Sequence, residues 1–77
     1  MGHTLRRILI VEDDPLTSLD LEATMEEHGH EVAGACASIA EAAPLVEDGI
    51  DAAVLDIDVL DGKTFGLARR LRERGLP

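Results

Sequence analysis

The stretch Arg7-Ile8-Leu9-Ile10-Val11-Glu12-Asp13-Asp14-Pro15 changes character twice. Leu5 to Val11 is aliphatic and β-branched, and four apolar residues in a row predict a strand buried on both faces, as in a parallel sheet. The apolar run stops at three acids. Asp14-Pro15 then predicts a helix start, with an Asp N-cap and Pro at the first helical position. That helix should run to about His28 and end at Gly29. Leu21 and Met25 share one of its faces. Leu16, Leu19 and Ala23 share another, about 160° away, so the helix asks for two things to pack against.

Working toward the C-terminus, Glu31 to Ala37 is a weaker strand, diluted by Gly34 and alanines. Ser38-Ile39-Ala40-Glu41 has capping-box spacing and predicts a second helix, with Ile39, Ala42 and Val46 inward and Gly49 closing it. Pro44 is a misfit inside that helix, at about 3 kcal/mol or a kink. Asp51 to Ile57 holds Ala-Ala-Val-Leu and predicts a third buried strand, again ending in acids. A loop from Asp58 to Lys63 follows, with Asp61-Gly62 as a turn. Thr64 is placed to cap a third helix whose apolar residues are Phe65, Leu67, Ala68 and Leu71. Gly75 ends it and Leu76-Pro77 breaks out. The order βαβαβα with short connections implies an α/β fold with a parallel sheet and right-handed crossovers.

Composition agrees with a small globular unit. Of 77 residues 45% are hydrophobic and 30% charged, with one Phe and no Tyr or Trp, so the core must be aliphatic. That length rules out two independent domains. No apolar run approaches the roughly 20 residues of a membrane span. Cys36 is the only cysteine, which fits a reducing compartment, and the chain is read as cytoplasmic. A net charge of −9 argues against direct nucleic-acid contact. Residues 1–61 hold 15 of the 16 acids against Arg6 and Arg7 alone. Lys63, Arg69, Arg70, Arg72 and Arg74 then make a basic end, either a solvated helix face or a docking surface. Cys36 reads as core packing. His28 and His30 flank a helix end, and no third ligand is spaced to make zinc of them.

Sites in parallel α/β sheets form outside the carboxyl ends of the strands. Glu12 and Asp13 follow the first strand and Asp56 ends the third, so neighbouring strands bring three carboxylates together. A hard divalent cation relieves their repulsion, and Mg²⁺ suits a site of few carboxylates with waters and phosphate oxygens. An Asp beside Mg²⁺ can attack phosphorus and form an acyl phosphate. Asp14, before Pro15, reads as an N-cap rather than a ligand. Asp58 offers a backbone carbonyl two residues past Asp56.

Arg7-Ile8-Leu9-Ile10-Val11-Glu12-Asp13-Asp14-Pro15 with Ala53-Val54-Leu55-Asp56-Ile57-Asp58 resembles the receiver domain of two-component response regulators. The resemblance implies a flavodoxin-like (CheY-like) doubly wound parallel sheet, of which residues 1–77 supply the first three βα units. It implies Asp56 as phosphoacceptor, and Mg²⁺ held by Asp13, Asp56 and the Asp58 backbone carbonyl, with Glu12 acting through a water. The donor it implies is a sensor histidine kinase or a histidine phosphotransfer protein, and the domain is not expected to be an enzyme. Leu60 stands where the family usually has Pro, and Asp61-Gly62 comes early, as in a subgroup common in alphaproteobacterial regulators. The fourth and fifth βα units, with their Ser/Thr, Lys and aromatic switch positions, are not among these residues. With them missing, the third-strand edge and the Leu16, Leu19, Ala23 face should be open, and a homo-oligomer is expected. The alternative is a fragment of a haloacid-dehalogenase-type phosphatase, with Asp56 as nucleophile and Asp58 as acid/base. That reading leaves Glu12 and Asp13 unexplained.

Overall fold

The computed structural model describes residues 6–75. The expected strand start at Leu5, the His3 terminus and the Leu76-Pro77 break lie outside the described residues. Strand β1 (Arg7–Val11) is the centre of a three-stranded sheet. It pairs in parallel with β2 (Glu31–Cys36) on one side and β3 (Ala52–Leu55) on the other, giving the order β2-β1-β3. The register with β2 skips Ala33, so β2 carries a bulge there. Helices α1 (Pro15–Glu27) and α2 (Ile39–Asp48) are the two crossovers, and α3 (Phe65–Glu73) follows β3. This is the doubly wound parallel arrangement expected of the receiver fold.

Leu9, Ile10 and Val11 have no exposed surface. Leu9 and Val11 face the larger cluster, with Ala42 and Val46 of α2, Leu67 and Leu71 of α3, Ile50 and Val59. Successive strand residues face opposite sides, so Ile8 and Ile10 lie toward α1. Burying such a side chain contributes about 1.5–3 kcal/mol. On α1, Ser18 is buried and Leu21 and Met25 half-buried against the sheet. The second expected face is open: Leu16 is 76% and Leu19 62% exposed. Arg7 ties the lower edge. Its N–H donates to the Asp51 carboxylate at 2.7 Å, and its guanidinium donates to the Gly49 carbonyl and to Glu31.

Two expectations need correction, and two residues take places the sequence left open. β3 stops at Leu55 instead of reaching Ile57, and all four of its residues are only half-buried, because it is the sheet edge among the described residues. The Asp58 to Lys63 loop is a hairpin, β4 (Asp58–Val59) against β5 (Gly62–Lys63), turned by Leu60 and Asp61. Phe65 is 61% exposed. Leu67 and Leu71 take the inward face of α3, and Phe65 lies about 160° round from Leu67. Pro44 does not break α2. Ala40 and Pro44 are both exposed, so the carbonyl that loses its N–H partner sits on the solvent side.

The N-terminus of α2 is capped from two sources. Ser38 Oγ accepts the Glu41 N–H at 3.2 Å, and Glu41 Oε1 takes the Ala37 N–H at 3.1 Å, a capping box displaced by one residue. The Asp61 carboxylate accepts the Ile39 N–H at 2.7 Å and the Ala40 N–H at 3.1 Å. Together they satisfy the N–H groups of Ile39, Ala40 and Glu41, which no intrahelical carbonyl can reach. The Ile39 N–H holds the Asp61 carboxyl below its ordinary value of 3.8 against an opposing effect of burial, with smaller help from the Ala40 N–H. At α1, Asp14 occupies the expected N-cap position, but its side chain makes no capping bond to a backbone N–H; its carboxylate takes the Thr17 hydroxyl instead. That bond lowers its pKa, with smaller help from the Thr17 and Leu16 N–H groups.

Two outcomes follow from this packing. Leu9→Ala should cost about 2–5 kcal/mol in urea denaturation. Leu60→Ala, at an exposed position outside the Leu16 and Leu19 face, should stay within about 0.5 kcal/mol. The reverse order would mean that the core lies elsewhere. Asp61 has a folded pKa below its unfolded one, so its contribution is complete above pH 3.8 and is lost as pH falls through the lower folded value. The melting temperature of the wild type should therefore exceed that of Asp61→Asn at neutral pH, and the gap should shrink below about pH 4. A gap that does not narrow in acid would refute the assignment.

Candidate functional site

The parallel ladders run one residue past the strands. The Glu12 N–H donates to the Cys36 carbonyl and the Asp56 N–H to the Val11 carbonyl, each at 2.8 Å. The second of these bonds sets Asp56 beside the first residues after β1. Carboxylate oxygens of Glu12, Asp13 and Asp56 lie within 4.8 Å of one another. Glu12 and Asp56 are half-buried and Asp13 is exposed. The three acids singled out in the sequence are thus brought together at the carboxyl end of the sheet.

Each acid keeps ligand capacity free. Glu12 Oε2 accepts the Asp14 N–H at 3.1 Å, and Asp56 Oδ1 accepts the Ile57 N–H at 2.9 Å. Among the described residues Asp13 accepts no hydrogen bond. An open cleft of about 380 Å³ adjoins Glu12 and Asp13, between the first turns of α1 and the end of β2. Oxygen-only donors set this close suit a small hard cation. Asp14 is not part of the cluster, since its carboxylate is turned to Thr17.

Asp58 begins the hairpin, and its carboxylate pairs with Lys63 Nζ at 2.6 Å. Both side chains are exposed, so the pair contributes at most about 1 kcal/mol. The Asp58 side chain is thus given to Lys63 and is not in the cluster. Cys36 is buried beneath the site as expected. Burial raises its thiol pKa, and Glu41 adds to the effect.

Sequence reasoning missed one residue here. Thr64 precedes α3 but does not cap it with its side chain. It is 3% exposed, and its hydroxyl donates to the Asp56 carbonyl at 2.6 Å. Its N–H donates to the Ile57 carbonyl at 2.9 Å. A Thr before a helix carries the same local signature whether its hydroxyl turns forward to cap or back to a strand. Only the nearness of β3 decides.

Comparison with known proteins agrees with this geometry, although no family model matches the chain. The phyllosphere-induced regulator PhyR of Methylorubrum extorquens is 37% identical over 59 residues, covering 74% of this chain and 22% of that protein. SdrG from Sphingomonas melonis Fr1 is 40% identical, with a TM-score of 0.88, over 100% of this chain and 66% of that one. The response regulator PhyR from Brucella abortus is 31% identical, with a TM-score of 0.85, over 97% of this chain and 32% of that one. The chain therefore spans about a fifth of the curated relative and a third of the Brucella chain. Among the described residues no helix is long and apolar enough to cross a membrane. With β2-β1-β3 order and likeness to PhyR-type proteins, this chain belongs to the receiver domains of response regulators, of which it carries the first three βα units.

Proposed function

We propose that Asp56 accepts a phosphoryl group from a phosphohistidine on a sensor histidine kinase or a histidine phosphotransfer protein, in the cytoplasm. The observation that carries this reading is the meeting of Glu12, Asp13 and Asp56 oxygens within 4.8 Å at the end of a buried parallel sheet. In the transfer an Asp56 carboxylate oxygen forms the bond to phosphorus while the nitrogen–phosphorus bond of the donor breaks. The imidazole leaves with the electron pair and is neutral at once or after exchanging a proton with water. The product is an acyl phosphate on Asp56. Oδ1 is held by the Ile57 N–H, which leaves Oδ2 as the attacking oxygen.

Asp13, Asp56 and the Asp58 carbonyl would hold Mg²⁺ directly, and Glu12 would hold it through a water. When bound, Mg²⁺ supplies positive charge against the phosphoryl oxygens and against the repulsion of the three acids. The chain's own part is positional. β1 and β3 fix the acids, the Asp56 backbone is pinned to Val11, and the Thr64 hydroxyl holds its carbonyl. Self-association is a second element of the proposal. It is supported by the open Leu16 and Leu19 face and by the edge of β3.

In a chain carrying all five βα units, acetyl phosphate or beryllofluoride should modify Asp56 alone, with one equivalent taken up per chain, and Asp56→Asn should abolish uptake; residues 1–77 alone should bind Mg²⁺ but label poorly. Labelling of that variant to the wild-type extent would refute the assignment, and many turnovers per chain would favour the phosphatase alternative. In a Mg²⁺ titration Asp13→Asn should lose affinity strongly and Asp14→Asn only slightly. Equal losses would contradict the division between ligand and cap. Sedimentation at micromolar concentration should show a dimer or larger species, and a well-folded monomer would remove self-association from the proposal.

A further inference from the structure

Between Asp56 and Thr64 the chain leaves the sheet and returns, and little of it is held by burial. Ile57 is 55% and Leu60 73% exposed, and Val59 alone in the hairpin is buried. The base of this segment is fixed where the Thr64 hydroxyl and N–H reach the Asp56 and Ile57 carbonyls. Its tip is fixed elsewhere. The Leu60 N–H donates to the Ala37 carbonyl at 3.1 Å, and the Asp61 carboxylate grips the Ile39 and Ala40 N–H groups of α2. The cross-hairpin pair of Lys63 with Asp58 is exposed and cannot fix the hairpin against the body. Asp58 lies between base and tip.

We infer that Asp61 is a positioning residue for the phosphoacceptor site: its grip on the first turn of α2 sets where the hairpin holds Asp58 relative to Asp56. The inference rests on the reading of Asp56 as phosphoacceptor and of the Asp58 carbonyl as a Mg²⁺ ligand. Without that grip the hairpin keeps its base but pivots about it. The Asp58 carbonyl then leaves the place that Glu12, Asp13 and Asp56 define. Residues that orient ligands in this way typically account for tenfold or more in metal affinity.

The test compares two caps of the same helix on the 77-residue chain. Asp61→Ala and Ser38→Ala each remove an acceptor from the first turn of α2, but only Asp61 also holds the hairpin. In amide hydrogen exchange without metal, the Leu60 amide at the tip should exchange about tenfold faster in Asp61→Ala than in Ser38→Ala, while the Thr64 amide at the base should exchange alike in both. In a Mg²⁺ titration followed by amide chemical shifts, Asp61→Ala should lose about tenfold in affinity and Ser38→Ala should stay near wild type. Asp61→Asn, which keeps one acceptor oxygen, should recover part of the loss. Equal effects of Asp61→Ala and Ser38→Ala, or wild-type Mg²⁺ affinity in a folded Asp61→Ala, would overturn the inference. If the wild type takes up neither Mg²⁺ nor beryllofluoride, the functional reading falls. The metal-free exchange comparison still decides whether Asp61 positions the segment.

Discussion

Strand β1 is buried along Ile8–Val11, and a buried strand must give every peptide N–H and C=O to a neighbour. It does so to β2 on one side and β3 on the other, and the pairing continues one residue beyond each strand. From this constraint the rest follows. A parallel strand on each side requires a crossover helix before each return, hence α1 and α2. The carboxyl ends of β1 and β3 are forced level, and the residues that leave them are forced together. Asp56 meets Glu12 and Asp13 because its own N–H completes the ladder at Val11, and no attraction among the three acids is needed.

Much of this was legible because the deciding residues act locally. Asp14-Pro15, Ser38 with Glu41, and glycines at 29, 49 and 75 mark where helices begin and end, and all three glycines have positive φ. The burial of β1 was legible from four consecutive apolar residues. What was not legible depends on contacts distant in sequence. Strands of two residues, as in β4 and β5, carry no alternation to read. Asp61-Gly62 reads correctly as part of a turn, yet nothing near it announces that its carboxylate reaches residues 39 and 40, some twenty positions back. Thr64 reads as a cap because its neighbours fit one.

The uneven charge of the chain is partly used within it. Arg70 and Arg74 of α3 both reach Glu47 of α2, at 3.4 and 3.1 Å, linking the two helices on one side of the sheet. Arg70 and Arg72 also stand in the last turn of α3, where positive charge suits the helix dipole. These pairs are exposed, and each is worth at most about 1 kcal/mol. The basic end therefore orients α3 against α2 more than it stabilises either. Arg69 and Arg72 form no ion pair among the described residues.

The acids divide by what donors surround them. Asp14 and Asp61 each face hydroxyl or N–H donors from a helix start, and those donors lower their pKa values. Asp61 spends its negative charge on backbone N–H groups and Asp14 on a side-chain hydroxyl. Glu12 and Asp56 spend one oxygen each on a neighbouring N–H, and Asp13 spends none. What remains of the three carboxylates lies within 4.8 Å of the others, at the carboxyl end of the sheet. An acid answered from within the chain is a structural acid, and acids left to one another form a site that only a ligand from outside can complete. By that criterion Asp14 and Asp61 belong to the scaffold, Glu12, Asp13 and Asp56 are the acids to which the proposed chemistry is assigned, and the Asp58 side chain is given to Lys63.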